Sequence, residues 1–298
     1  MFRTAPPSPA DPAAPSATGL VNAMSVDVED WFQVSAFERV IAPDSWDRLP
    51  CRVERNVERI LGLFEAHQVR ATFFTLGWVA QRYPQLVRRI VAGGHELASH
   101  GHGHRRVTML TPQTFREDLL RAKALLEDLA GAHVAGYRAP SFSIGPANPW
   151  AHDVLRDTGH AYSSSVYPVR HDLYGAPDAP RFAHRLPNGL VEIPPTTVRA
   201  GGRNWPASGG GFFRLLPYAV SRALVRRVNA AHAQPAMFYF HPWELDPGQP
   251  RVAGAGAKSR LRHYLNLSRT EPRLARLLAD FRWDRVDRAF AGALGAAS

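Results

Sequence analysis

Two histidines separated by three residues give the strongest chemical signal in this chain. His100 and His104 lie in the segment A-S-H-G-H-G-H, directly after an apolar stretch, so one turn of backbone can direct both imidazoles at a single ion. Imidazole is the commonest protein ligand of catalytic divalent metals, and a third ligand would leave one coordination position free for water or substrate. We expect His102, which lies between them, to point elsewhere. The spacing favours a metal site over a simple polar turn.

An acidic cluster near the start of the chain offers the third ligand. The segment D-V-E-D at 27–30 ends another apolar stretch. In an extended strand Asp27 and Glu29 would share one face, whereas a bend at the strand end would present Asp30 instead. Grouped buried carboxylates are costly unless a cation neutralises them, although a surface acidic turn is the alternative. We expect Glu29 or Asp30 to bind the metal and one carboxylate to stay free as a general base.

Two further segments place a single polar side chain after apolar residues. Arg138 follows Gly136 and Tyr137 and precedes an Ala-Pro pair, where its guanidinium could hold a carboxylate through two hydrogen bonds. His241 emerges from the apolar segment F-Y-F and is followed by P-W-E, the setting of a catalytic acid held by a neighbouring carboxylate. Together with the histidine and carboxylate clusters, these residues suggest a metal-dependent hydrolase.

Composition limits the class of protein. The chain has 298 residues, of which 45% are hydrophobic and 21% charged, which is typical of a soluble globular protein. The single cysteine, Cys51, excludes an internal disulfide and a zinc ribbon. The formal charge of +10 is carried almost entirely by scattered arginines, so we do not expect nucleic-acid binding. No stretch approaches the roughly 20 apolar residues of a membrane span.

The elements that must position these residues alternate between strand and helix patterns. Strands are predicted at 22–28, 69–76, 96–99, 134–138, 161–166, 190–193 and 236–240, with helices between most of them. The clearest helix opens at Thr111-Pro112, where Thr is the N-cap and Pro takes the first helical position. Alternation of this kind indicates parallel strands joined by right-handed crossovers.

The polar clusters follow the first, third, fourth and seventh strands, where parallel α/β barrels build their active sites. We therefore predict a distorted (β/α)7-type barrel with parallel strands and an active site at their C-terminal ends. Residues 1–20 are expected to be a disordered Pro/Ala-rich extension, 21–245 the barrel, and 246–298 a C-terminal extension packed on it. Residues 167–216 are expected to be long loops, and a helical tail runs from Lys258 to about Arg288.

In this order the motifs resemble those of the NodB-type polysaccharide deacetylases, carbohydrate esterases that remove acetyl groups from N-acetylated sugars with a divalent metal. The resemblance spans about residues 22–245. It implies that Asp27 is the base and that the adjoining ligand is Glu29, if the motif is D-x-D, or Asp30. The family motif H-[ST]-x-x-H corresponds to His100 and His104, with glycine in place of Ser or Thr at the cost of one loop hydrogen bond.

The same resemblance assigns the remaining site residues. Arg138 corresponds to the arginine that orients the base, and His241 to the histidine that acts as general acid. A further family motif usually carries an aspartate, and Ser163 stands in its place here. Glu244 or Asp246 could then support His241.

Three aromatic residues flank the motifs and are assigned to substrate binding: Trp31, Tyr137 and Trp243. The two tryptophans could stack on sugar rings or could equally belong to the core. The tail, with R-H-Y-L-N-L at 262–267, resembles the extension of deacetylases associated with exosortase and exopolysaccharide gene clusters.

The resemblance implies hydrolysis of acetamide bonds in an N-acetylated polysaccharide or oligosaccharide, in exopolysaccharide biosynthesis. The implied cofactor is a divalent metal, Zn²⁺ in the first place, with Co²⁺ or Ni²⁺ as alternatives. Two other functions are considered: an amidohydrolase acting on a cyclic amide or ureide, and a catalytically weak glycan-binding protein. The N-terminal segment lacks the apolar core of a signal peptide, so a cytoplasmic location is expected.

Overall fold

The candidate site residues lie on or shortly after strands of one curled sheet in the computed structural model, which describes residues 19–172 and 174–295. In chain order the strands are β1 (Val21–Val28), β2 (Thr72–Thr75), β3 (Glu96–Ser99), β4 (Gly136–Tyr137), β5 (Tyr162–Ser163), β6 (His184–Arg185), β7 (Val191–Glu192), β8 (Thr197–Ala200), β9 (Arg203–Pro206), β10 (Met237–Phe240) and β11 (Arg282–Asp284). The nine-stranded sheet has the order β10-β1-β2-β3-β4-β5-β7-β6, with β11 beside β1, while β8 and β9 form a separate hairpin. Its strand pairs are parallel except β6 with β7. The predicted parallel α/β class is confirmed, and within the described residues the barrel is a half-barrel left open between β6 and β10.

Helices cover the sheet and fill its crossovers. In chain order they are α1 (Val53–Ala66), α2 (Gly77–Arg82), α3 (Pro84–Ala92), α4 (Pro112–Ala130), α5 (Trp150–Asp157), α6 (Gly210–Leu215), α7 (Tyr218–His232), α8 (Ala257–Tyr264), α9 (Thr270–Asp280), α10 (Val286–Ala289) and α11 (Ala291–Gly295). The N-terminus of α4 has the predicted cap, with the Thr111 hydroxyl accepting from the backbone N–H of Thr114, and Gly131 ends it in the left-handed conformation. No helix of the described residues is long and apolar enough to cross a membrane.

Parallel register brings the motif residues to one edge of the sheet. Asp27 of β1 lies opposite Phe74 of β2, and Ser99 of β3 lies opposite Tyr137 of β4. The residues that follow β3, β4 and β10 therefore leave the sheet on the same side as the end of β1.

Two regions differ from the sequence-based expectation. Residues 167–216, predicted as loops, contain the β8–β9 hairpin and α6, and the predicted helical tail is interrupted by β11, which pairs with β1. Such short strands are specified by their partners rather than by their own pattern. In the same region Leu274, Leu277 and Trp283 pack into the main core with β1 and α1. Of the predicted extension 1–20, residues 1–18 lie outside the described chain.

Candidate active site

Three side chains from two strand ends converge as a candidate metal centre. The ligand atoms of Glu29, His100 and His104 all lie within 4.8 Å of one another. His104 Nε2 is 2.6 Å from Glu29 Oε2, and His100 Nδ1 is 2.8 Å from the carbonyl oxygen of Arg138. An Nδ1–H that donates to this carbonyl leaves Nε2 of His100 for a metal, the usual arrangement of a histidine ligand. Two imidazoles and one carboxylate form a donor set that fits Zn²⁺, Co²⁺ or Ni²⁺.

The protonation states of these groups also suit a cation. Burial would raise the pKa of Glu29, but the charges of His104 and His241 outweigh it and lower the pKa to about 2. Burial lowers the pKa of His100 to about 4, which keeps its imidazole neutral near pH 7. An ionised carboxylate and a neutral imidazole are the forms that bind metal.

The alternative ligand Asp30 is directed away from this centre. Its Oδ1 accepts from the backbone N–H of Trp31 at 2.8 Å, and its Oδ2 accepts from the N–H groups of Arg52 and Val53 at 2.5 and 2.9 Å. Asp30 therefore satisfies the free amides at the start of α1, and the expectation that it could bind the metal is wrong. The chain turns after β1, and only Glu29 faces the two histidines.

A buried ion pair lies beside the metal centre. Arg138 Nη1 is 2.6 Å from Asp27 Oδ1, and both side chains are almost fully buried. The same guanidinium donates to Ser25 Oγ at 2.9 Å and to Ser164 Oγ at 3.0 Å, and it lies 4.0 Å from the centre of the Phe74 ring. With its donors directed in this way, Arg138 fixes the orientation of Asp27 and compensates its charge.

His241 faces the same space from the end of β10. Its Nε2 is 3.8 Å from Asp27 Oδ2 and 3.7 Å from Glu29 Oε1, and its Nδ1–H donates to Glu244 Oε1 at 2.6 Å. Burial would lower the pKa of His241, but the charges of Glu29 and Glu244 outweigh it and raise the pKa to about 9. The imidazole is therefore a proton donor at neutral pH.

Ser163 replaces the aspartate of the family motif, and Glu244 supports His241 in its place. Ser163 donates to Ser165 Oγ at 2.8 Å, so it takes part in a local serine network rather than in supporting a histidine. Asp246, one of the two proposed substitutes, pairs with Arg52 at 2.5 Å. Glu244 is therefore the residue that orients His241.

Arg214 is a site residue that sequence reasoning missed. Its Nε is 2.6 Å from Glu244 Oε2, and its Nη1 donates to the carbonyl oxygens of His263 and Leu265 at 2.9 and 2.8 Å. Both partners of the ion pair are buried. The only signal in the sequence is an arginine inside the apolar segment G-F-F-R-L-L-P. Arg214 thus connects the C-terminal tail to the carboxylate that holds His241.

Asp118 of α4, also missed, supports the histidine loop. Its carboxylate accepts from the backbone N–H of His102 at 2.8 Å and of Gly103 at 3.4 Å. Gly101 has φ +75°, and a Cβ there would lie 2.7 Å from Asp118 Oδ2. The conformation of this loop therefore requires glycine at position 101. The replacement of Ser or Thr thus does more than remove one hydrogen bond.

The aromatic residues assigned to substrate are buried. Trp31 is 3% exposed and Tyr137 1% exposed, each within a separate apolar cluster, so their predicted role in contacting a sugar is wrong. Trp243 stacks on the His241 ring with centroids 5.1 Å apart and donates its Nε1–H to Glu29 Oε1 at 3.2 Å. It is 6% exposed and orients the site instead of presenting a face to a ligand.

The strand ends of this curled parallel sheet bring together a candidate metal-binding triad, an aspartate paired with an arginine, and a histidine paired with a carboxylate. Groups of this kind can serve hydrolysis. Residues 44–163 match the polysaccharide deacetylase family, and this segment is a polysaccharide deacetylase domain. Residues 164–291 match a domain of unknown function, DUF3473. The histidine loop and Arg138 lie in the first segment, His241 and its supports lie in the second, and Asp27 and Glu29 precede both.

Curated relatives share part of the sequence, and solved structures share the fold. Over 125 residues the chain is 31% identical to a peptidoglycan deacetylase of Helicobacter pylori, covering 42% of each protein. The chain spans less than half the length of the curated relatives it matches. A crystal structure of a protein from Mycobacterium smegmatis assigned as a polysaccharide deacetylase has a TM-score of 0.59 at 23% identity, covering 96% of this chain and 94% of that one. An allantoinase structure has the same TM-score and the same coverages at 17% identity, so these structural likenesses show the fold alone.

Proposed function

We propose that this chain hydrolyses the acetamide bond of N-acetylated amino sugars in a polysaccharide and releases acetate. The proposal rests on one arrangement around the candidate metal-binding triad. Asp27 is paired with Arg138 on one side of it, and His241 is paired with Glu244 on the other. The deacetylase domain match and the Helicobacter pylori relative, named as a peptidoglycan deacetylase, support the substrate class.

The first chemical step needs a base and a polarised carbonyl. When bound by Glu29, His100 and His104, a divalent cation would supply Lewis-acid polarisation of the amide carbonyl. Asp27 accepts a proton from the water that attacks the carbonyl carbon. Arg138 binds Oδ1 of Asp27 and so keeps Oδ2 of the same carboxylate directed into the site.

The second step needs an acid. His241 gives its Nε2 proton to the amide nitrogen as the C–N bond breaks, so the amino sugar leaves as a neutral amine. Glu244 stabilises the imidazolium before the transfer and keeps Nε2 facing Asp27 and Glu29. The proton taken by Asp27 and the proton given by His241 balance one water added across one C–N bond.

Acetate release from chitohexaose tests this function directly. Metal-free protein should be inactive, and activity should return with Zn²⁺, Co²⁺ or Ni²⁺, of which we propose Zn²⁺ as the cofactor. Allantoin is the matched alternative substrate, because an allantoinase shares the fold. Turnover of allantoin without acetate release would favour the cyclic amide or ureide function, and glycan binding without turnover would favour the binding protein.

We further propose a role in exopolysaccharide biosynthesis, supported by the resemblance of the tail at 262–267 to the extension of deacetylases associated with exopolysaccharide gene clusters. The structure connects this tail to the site, since Arg214 bonds to backbone carbonyls of residues 262, 263 and 265. Removing the protein from its host should raise the acetyl content of the secreted glycan, and an unchanged content would contradict the role.

A further inference from the structure

A second concave surface lies in the segment that matches the domain of unknown function. The β8–β9 hairpin, residues 169–171 and residues 177–182 line a groove of about 790 Å³. A groove of this volume admits a ligand of several rings. Among the residues that line it are four arginines: Arg170, Arg181, Arg199 and Arg203.

Among the described residues that line this groove, arginines outnumber carboxylates. Arg170, Arg199 and Arg203 are exposed and have no carboxylate within ion-pair distance in that part of the chain. Asp178 is the one carboxylate that lines the groove with them. Unpaired guanidinium groups around a concave surface create a positive potential that favours an anionic ligand, and their planar donors match carboxylate oxygens.

Arg181 lines the groove and is held in place by two hydrogen bonds. Its Nε donates to Thr197 Oγ1 at 3.1 Å and its Nη2 to the Thr197 carbonyl oxygen at 2.7 Å. Burial, together with the charges of Arg199 and Arg227, lowers the pKa of Arg181. The fold therefore keeps like charges close together here, as it would at a site that an anion neutralises.

One aromatic side chain stands exposed beside these charges. Trp205 of β9 is 55% exposed, and its Nε1–H donates to the Ala200 carbonyl oxygen at 3.2 Å, which fixes the ring plane. An indole with a fixed plane and an open face offers the stacking surface that a sugar ring needs. Arginines beside such a face favour a charged sugar over an isolated phosphate.

A series of ring contacts connects the groove to the candidate active site. The His171 ring, at the groove, stacks on Tyr174 with centroids 4.1 Å apart, and Tyr174 stacks on Tyr167 at 5.8 Å. Tyr167 contacts Tyr239 at 6.2 Å, and Tyr239 contacts His241 at 5.9 Å. Tyr167 and Tyr239 are buried, so these rings form a packed connection that fixes the position of the groove relative to His241.

We propose that the arginine-lined groove binds an acidic segment of the glycan, one whose sugars carry carboxylates. This inference rests on the proposed deacetylase function and narrows its substrate to chains that contain both N-acetylated amino sugars and acidic sugars. Arg199 and Arg203 bind the carboxylates, and Trp205 stacks on a ring.

Binding to the metal-free protein tests the groove without any turnover. The probes are a hyaluronan hexasaccharide, which alternates N-acetylglucosamine with glucuronate, and neutral chitohexaose, both measured by titration calorimetry. The wild type should bind the acidic probe more tightly, and raising the salt concentration should weaken that binding. The double variant Arg199→Gln/Arg203→Gln should lose about tenfold in affinity for each charge-assisted bond removed.

Controls separate this inference from loss of folding. Arg48→Gln/Arg88→Gln removes two exposed arginines that do not line the groove and should leave the affinity unchanged. Trp205→Ala should weaken binding of both probes. In the double groove variant kcat/KM for chitohexaose should stay within about twofold of wild type, because no group that orients Asp27 or His241 is changed.

Several outcomes would overturn the inference. These are equal affinity for the two probes, affinity that is insensitive to the arginine variants, and equally tight binding of a DNA oligomer or of anionic phospholipid vesicles. If the protein deacetylates chitohexaose but does not bind the acidic probe more tightly than the neutral one, only the groove assignment is overturned. Selective binding without any deacetylation would overturn the proposed function alone.

Discussion

Replacing Arg214 by Met tests the connection between the tail and the catalytic acid. In the wild type Arg214 pairs with Glu244 at 2.6 Å, and both side chains are at most 2% exposed. The variant keeps the apolar stem but leaves a buried carboxylate without its cation and frees the carbonyl oxygens of His263 and Leu265. Breaking a buried pair from one side costs about 3–5 kcal/mol, which we expect as the loss in the free energy of unfolding.

Urea unfolding of the metal-free protein measures this loss. A double variant then shows whether the two side chains stabilise each other. Arg214→Met/Glu244→Gln removes both charges, so it should be less destabilised than the sum of the single variants by about 1–3 kcal/mol. Arg222→Met is the matched control, because Arg222 pairs with Asp280 at 2.9 Å while 32% exposed, and its loss should cost less than about 1 kcal/mol. Additive single variants, or a stable Arg214→Met protein, would refute the reasoning.

Four further predictions concern the catalytic groups, the metal, the histidine loop and the pH dependence of stability. Asp27→Asn should lower kcat by about 10²–10⁴ while elemental analysis still finds one metal per chain; near-normal turnover would exclude Asp27 as the base. His100→Ala should lose stoichiometric metal in the same analysis, and full retention would contradict its role as a ligand. Gly101→Ala should destabilise the protein by about 1–3 kcal/mol in urea unfolding, whereas Gly103→Ala, where a Cβ meets open space, should not. Burial lowers the pKa of His95 from 6.5 to about 4. As the pH falls, this histidine is therefore protonated in the unfolded chain before it is protonated in the folded protein. About 3 kcal/mol of stability, present above pH 6.5, should be lost as the pH falls to about 4, and His95→Asn should flatten this dependence.

The sequence was sufficient where local pattern decides the structure. The alternation of apolar segments predicted the parallel sheet, and the position of His100, Arg138 and His241 just after such segments predicted their convergence at one edge. It was insufficient at 27–30, because strand alternation and a terminal bend place different carboxylates inward. The contacts of Asp30 with the start of α1 decide between them, and they depend on residues 22 and 23 positions further along the chain.

Long-range contacts account for the rest of the differences. Arg214 meets Glu244 across 30 residues and the carbonyl oxygen of His263 across 49, so its sequence neighbourhood gives no hint of a charge partner. The burial of Trp31 and Tyr137 depends likewise on which face of the turn or strand meets the core. Composition identifies an aromatic residue beside a motif but does not say whether it faces solvent.

The pairing of β1 with β11 has a consequence for how the protein is made. Asn22 donates to the carbonyl oxygen of Arg282, 260 residues later in the chain. At the usual pace of translation the ribosome needs roughly 13–52 s to cover that interval, and for all of it Val21 and Asn22, at the start of β1, lack the strand with which they pair. An exposed strand edge favours pairing with another chain, so this end of β1 is a site of possible aggregation until the segment that contains β11 emerges.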